Sequence, residues 1–153
     1  MTSSVPFRLA FFNIWRSGSG PGGLARVADL ILASAADVIG LSEVMKPADF
    51  RVLTALLQLH LPHSAYCPTS YLGIISRYEL GSVAGHTPQD KSTPGFSATV
   101  AMPEGRARVK VIVCHLSAFP YGPYMLRDGH KVQDVHREEA SSTIWSPCHV
   151  SSL

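Results

Sequence analysis

The chain has 153 residues, 46% of them hydrophobic and 16% charged, with a formal net charge of +2. That length and apolar content are enough to bury the core of one domain, which excludes a disordered chain. The charge is too small to attract polyanions in general, so any hold on phosphate must come from local placement, and no apolar stretch is long enough to cross a bilayer.

The opening residues Met1 to Phe7 lack both the basic and the apolar region of a signal peptide, so the expected location is cytoplasmic or otherwise intracellular. Residues 7–13 read as a strand. Gly18 to Gly23 form a loop that opens a helix through about Ala36, with Leu24, Val27, Ile31 and Ala35 on one face. "DVIGLSEV" gives a second strand over 37–43, apolar until its end, as in a strand covered on both faces. A β-α-β start follows.

Residues 47–61 place Phe50, Leu53, Leu56, Leu57 and Leu61 at helical spacing, and Pro62 stops the pattern. From 64 to 115 the chain offers short β-rich pieces separated by turn residues, read as an antiparallel meander. Arg108 to Leu116 is its clearest strand. "AFPYGPYMLRDG" is rich in Pro, Gly and Tyr and reads as a surface loop. Residues 130–142 read as a helix, and the end of the chain has no period. The domain is therefore expected over 1–142, with an unstructured or non-homologous tail over 143–153. Cys67, Cys114 and Cys148 are odd in number and widely spaced, which suits reduced thiols.

Gly18 to Gly23 also satisfies the glycine pattern of dinucleotide-binding folds, with Glu43 twenty residues after Gly23. In those folds the first glycine turns directly off the strand, whereas here Asn13 to Ser17 intervene. NAD binding through Gly18–Gly23 is thus the less favoured alternative.

Asn13, Glu43 and His115 each close an apolar strand, where side chains can converge over a sheet edge. Singly, each has a plain reading: a turn asparagine, a solvated glutamate, a core histidine. As a set, they have the types suited to a hard cation and to proton transfer. Glu43 would hold Mg²⁺, which prefers oxygen ligands and binds through one or two carboxylates plus substrate phosphate. Asn13 would orient that carboxylate or a metal-bound water, and His115 would donate a proton or hydrogen-bond a phosphoryl oxygen. Ser42 and Cys114 are poor rivals as nucleophiles, because neighbouring strand residues point to opposite faces.

"RLAFFNIW", a helix, "ADVIGLSEV", "GIISRYEL" and "VKVIVCHL" in that order resemble the N-terminal half of the endonuclease/exonuclease/phosphatase superfamily, whose fold is that of deoxyribonuclease I. The resemblance covers about residues 7–116 and implies an α+β fold: part of a four-layer αββα sandwich, mostly one mixed sheet with flanking helices. It implies that Asn13 and Glu43 belong to a metal site for Mg²⁺ or Mn²⁺ and that His115 is catalytic, as Asn13 is. Arg77 stands in a block that is mainly structural in the family, yet its charge would reach phosphate. A Pro- and Tyr-rich segment after the His-Leu block resembles a microbial subgroup and makes Tyr121, Tyr124 and Arg127 candidate substrate contacts.

The family's later Asp-x-Asn and Ser-Asp-His blocks do not occur after His115; Asp128, Asp134, His130, His136 and His149 stand elsewhere than at ends of apolar strands. The expectation is a phosphoester hydrolase whose second half is missing, truncated and weakly active or inactive. Its substrate would be a nucleic acid, a lipid or a small phosphate ester. The alternative is a non-catalytic interaction module, with a protein partner covering the exposed sheet.

Overall fold

Residues 6–86, 94–102, 107–115 and 122–135 are described in the structure, a computed structural model, the side chains of 122–124 excepted. β1 (Leu9–Asn13) runs parallel to β2 (Val38–Ser42), with α2 (Gly23–Ala33) in the crossover. β4 (Leu72–Ser76) is antiparallel to β2, and β3 (His63–Cys67) is antiparallel to β4, giving the order β1-β2-β4-β3. α3 (Pro47–Leu57) lies between β2 and β3 in the chain. A second, antiparallel sheet has the order β5-β6-β7, from Leu80–His86, Gly95–Ala101 and Arg108–Cys114.

β2 and β4 are buried at every position because each is covered on both sides. On one face Ile39, Leu41 and Ile75 pack with Ala28 and Ile31 of α2 and with Phe50, Leu53 and Leu57 of α3. On the other, Val38, Leu72 and Ile74 meet Phe96, Ala98, Val100, Val111 and Val113 of the second sheet. Burial of each such aliphatic side chain contributes about 1.5–3 kcal/mol, so the two interfaces hold the layers together. Gly40 lets the layers close: a Cβ there would stand 2.4 Å from the Phe11 ring and 2.9 Å from Val113 Cγ2.

The fold class is the expected mixture of strands and helices, and β5–β7 supply more of a second sheet than the mostly single mixed sheet that the resemblance implies. The meander reading put 64–115 into one unit; β3 and β4 instead complete the first sheet. α2 ends at Ala33, and Ala35 is exposed with φ 49°, so it leaves the apolar stripe. α3 ends at Leu57, before Pro62, and Leu61 is buried after a turn while Leu56 faces outward. β2 is followed by an antiparallel neighbour, so the described sheet lacks the repeated parallel strands of a dinucleotide-binding half.

A separate unit contains α4 (Gly122–Arg127) and helical residues 132–135. α4 corrects the surface-loop reading of this segment: Pro123 sits in the first turn, where its missing N–H removes no helical hydrogen bond. The rest of the helix expected over 130–142, and the tail over 143–153, lie outside the described residues. Among the described residues no helix is long and apolar enough to cross a membrane. Among the described residues Cys67 stands as a free thiol.

Candidate active site

The parallel register sets Asn13 beside Ser42, so β1 and β2 finish together and Glu43 leaves the sheet next to Asn13. Asn13 Nδ2 donates to Glu43 Oε1 at 2.8 Å, and Asn13 Oδ1 accepts the backbone N–H of Trp15 at 2.9 Å. A carboxylate on one side and an N–H on the other leave the Asn13 amide one satisfactory orientation. His115 follows the last residue of β7, and its Nε2 stands 3.5 Å from Glu43 Oε1. The structure brings all three strand-end residues to one place.

The chain after Asn13 makes a short turn, α1 (Trp15–Gly18), in which Trp15, Arg16 and Ser17 have φ of 37°, 49° and 60°. Non-glycine residues reach this left-handed region at a cost and only where surroundings hold them. Here the bonds that hold Arg16 and Ser17 run to the Glu43 segment. Arg16 N–H donates to Glu43 Oε2 at 2.9 Å, Ser17 N–H to the Glu43 carbonyl at 2.8 Å, and Met45 N–H to Ser17 Oγ at 2.8 Å. Glu43 itself has φ 62°. The turn therefore clamps both the backbone and the carboxylate of the glutamate.

Val44, fully buried, anchors the other side of the segment. Its N–H donates to the Tyr71 carbonyl at 3.0 Å, and its carbonyl accepts Tyr66 O–H at 2.6 Å. Tyr66 stacks on Phe50 at 4.9 Å between ring centroids, which ties the loop to α3, and its burial pushes the phenol pKa up.

The hydrogen bond from Asn13 holds the Glu43 carboxyl below its usual range. Partial burial opposes this, while the Arg16 N–H and the charges of His115 and Arg16 add to it. The carboxylate is thus kept ionised beside an open cleft of about 470 Å³ lined by Asn13, Trp15, Arg16 and Glu43.

Among the described residues no three His, Cys, Asp or Glu side chains form a metal cage. The donor set nevertheless fits Mg²⁺ or Mn²⁺, hard ions that need few protein oxygens and retain waters. Glu43 would hold such an ion, since its carboxylate keeps lone pairs beyond the bonds described. Asn13 spends its amide N–H on Glu43 and an oxygen lone pair on Trp15, an orienting geometry.

Arg77 does not join them. Its Nε pairs with Asp37 Oδ1 at 3.3 Å, and its N–H donates to the Asp37 carbonyl. Because β4 is antiparallel to β2, Arg77 follows Ser76 at the far end of β2, so the whole length of that strand, roughly 13 Å, lies between it and Glu43. Asp37 also accepts Arg8 N–H at 2.9 Å, so the pair latches the sheet rather than facing phosphate. Tyr121 and the side chain of Tyr124 lie outside the described residues, and exposed Arg127 bonds Asp128 at 2.8 Å. Sequence reasoning missed the clamp of Arg16 and Ser17 and the prop of Tyr66. The nearest signal for the clamp was the short segment Ile14 to Ser17 between the strand-ending asparagine and the glycine-rich run.

Two packed sheets thus gather an amide, a carboxylate and an imidazole at strand ends. The profile of the Endonuclease/Exonuclease/phosphatase family matches residues 10–144, and the chain belongs to that family. No curated protein matches the sequence significantly. Among solved structures it is similar to SmcL (15% identity, TM-score 0.58, 89% of this chain and 54% of that one). It is also similar to beta toxin from Staphylococcus aureus (13%, 0.57, 90% and 57%). A humanized D. rerio TDP2 gives 16% identity and a TM-score of 0.56 over 80% and 54%. The chain spans 54–57% of the length of these similar structures.

Proposed function

We propose that Asn13, Glu43 and His115 form the metal-binding and proton-donating part of a hydrolase for phosphoester bonds, with Mg²⁺ or Mn²⁺ as cofactor. The observation that carries this is the Glu43 carboxylate, held ionised by Asn13 and the Arg16 N–H and set 3.5 Å from His115 at an open cleft. A bound divalent ion supplies Lewis-acid stabilisation of charge on a phosphoryl oxygen. Glu43 holds that ion, Asn13 and the Arg16 N–H fix the carboxylate's direction, and Arg16 adds positive charge at the cleft. His115, when protonated, donates to the phosphoryl or leaving oxygen as charge builds there.

The substrate class of the family's members varies. One D. rerio TDP2 structure is a complex with single-strand DNA product, and another similar structure is a sphingomyelinase C from Streptomyces griseocarneus. The Asp-x-Asn and Ser-Asp-His blocks expected in the family do not occur in the 153 residues. Turnover by these residues alone is therefore weak, since a missing water-positioning group forfeits roughly 10²–10⁴-fold. The test is hydrolysis of bis(p-nitrophenyl) phosphate with Mg²⁺ or Mn²⁺, against Glu43→Ala. Metal-dependent turnover that disappears in the variant supports the reading, and turnover equal in both contradicts it.

A second reading is a non-catalytic interaction module. It is favoured by β1, which has no second strand partner among the described residues and leaves Leu9 43% and Phe11 56% exposed. Phe11 lies against the position of Gly40 that faces Val113, so this apolar edge borders the inter-sheet layer. Absence of turnover together with a stable complex that Phe11→Asp abolishes would establish this reading instead.

A further inference from the structure

Trp15 is 72% exposed although its backbone is tightly held. Its N–H donates to Asn13 Oδ1, and its carbonyl accepts both the N–H and the hydroxyl of Ser19 at 3.1 and 3.2 Å. At φ 37° a bulky residue sits in unfavourable backbone geometry and recovers little through burial of its ring. Trp15 instead lines two neighbouring depressions. One is the Glu43 cleft. The other, about 270 Å³, also reaches Asn13 and Trp15 and is lined by Ile14, Pro21, Val27, Leu30 and Arg26. Leu30, 51% exposed, extends this aliphatic surface along α2. Arg26 flanks the groove as Arg16 flanks the cleft, so two cations border an otherwise apolar path leading away from the carboxylate.

We propose that Trp15 and this groove form a subsite for an aliphatic group attached to the phosphoester, so that the ligand is an amphiphilic phosphodiester such as a phospholipid. This rests on the reading of the Glu43 cleft as the phosphoester site. The phosphate lies between the cleft and the two guanidinium groups, and the chain beside it crosses the indole onto Val27 and Leu30. A single-stranded nucleic acid is the weaker match. It needs a track of cations with several stacking rings, whereas this groove has an aliphatic floor and one indole at its rim.

The test is binding to the full chain carrying Trp145→Phe, in which Trp15 is the remaining tryptophan. Fluorescence is followed with EDTA present while dihexanoylphosphatidylcholine is added below its micellar concentration. The expected result is a saturable blue shift, absent with glycerophosphocholine and weakened roughly tenfold or more by Leu30→Asp, whose exposed site tolerates the change without unfolding. No shift, an equal shift in Leu30→Asp, or a shift produced by a single-stranded oligonucleotide and not by the lipid would overturn the proposal. The two readings fail separately. Lipid binding without any hydrolysis of the soluble diester supports the subsite and removes the hydrolase reading, whereas metal-dependent hydrolysis without a lipid shift does the reverse.

Discussion

Replacing Asn13 by Ala removes two bonds at once: the 2.8 Å donation to the Glu43 carboxylate and the 2.9 Å acceptance from Trp15 N–H. A hydrogen bond to a charged group is worth about 1.5–3 kcal/mol and a neutral one about 0.5–1.5 kcal/mol. Both lie at an exposed site, so the lower ends apply and the loss is about 2 kcal/mol. In urea, with a slope of about 1–3 kcal/mol/M, the midpoint falls by roughly 1 M. Asn13→Asp makes the sharper comparison. It replaces the donor with a second carboxylate near Glu43, which is at least as destabilising without metal and supplies a second ionic ligand with it. Stabilisation by a bound ion follows RT ln(1 + [L]/Kd), so Mg²⁺ should raise the urea midpoint of Asn13→Asp more than that of the unaltered chain. An Asn13→Ala variant within about 0.5 kcal/mol of the unaltered chain, and an Asn13→Asp variant no more responsive to Mg²⁺, would refute this reasoning.

Tyr66→Phe deletes the bond to the Val44 carbonyl while keeping the stack on Phe50, and urea unfolding should show a loss of about 1 kcal/mol. Gly40→Ala forces a Cβ to within 2.4 Å of the Phe11 ring, and the melting curve should report about 1–3 kcal/mol of destabilisation; an unchanged curve would mean the layers are not in close contact there. The Glu43 carboxyl has its pKa lowered by folding, so its contribution to stability is fully present above the usual glutamate range and is lost as pH falls through the lowered value. Urea midpoints taken down a pH series should show that loss in the unaltered chain and much less of it in Asn13→Ala, where its largest cause is gone.

The layers were legible where a pattern with a period reports burial. The unbroken apolar run at Val38–Ser42 gave a strand covered on both faces, and Phe50, Leu53 and Leu57 gave the inner side of α3. The shared strand-end position of Asn13, Glu43 and His115 was legible for the same reason, since each polar residue interrupts an apolar strand pattern. Periodicity carries no information on side-chain to backbone bonds. Ser17 reaches Met45 and Tyr66 reaches Val44 across 28 and 22 residues, and neither leaves a mark in the sequence. Arg77 looked available to phosphate because its partner, Asp37, is brought to it only by the antiparallel pairing of β2 with β4. The division of the later strands between two sheets depends likewise on which strand meets which, and alternating residues look alike in either sheet.

Manganese titration followed by ¹H–¹⁵N NMR tests most directly whether the strand ends of β1, β2 and β7 form one divalent-ion site. Paramagnetic broadening should appear first at the Asn13 side-chain amide, the Trp15 and Arg16 backbone amides and the His115 ring, and should vanish in Glu43→Gln. Broadening that begins elsewhere, or that persists in Glu43→Gln at these same groups, would contradict the account.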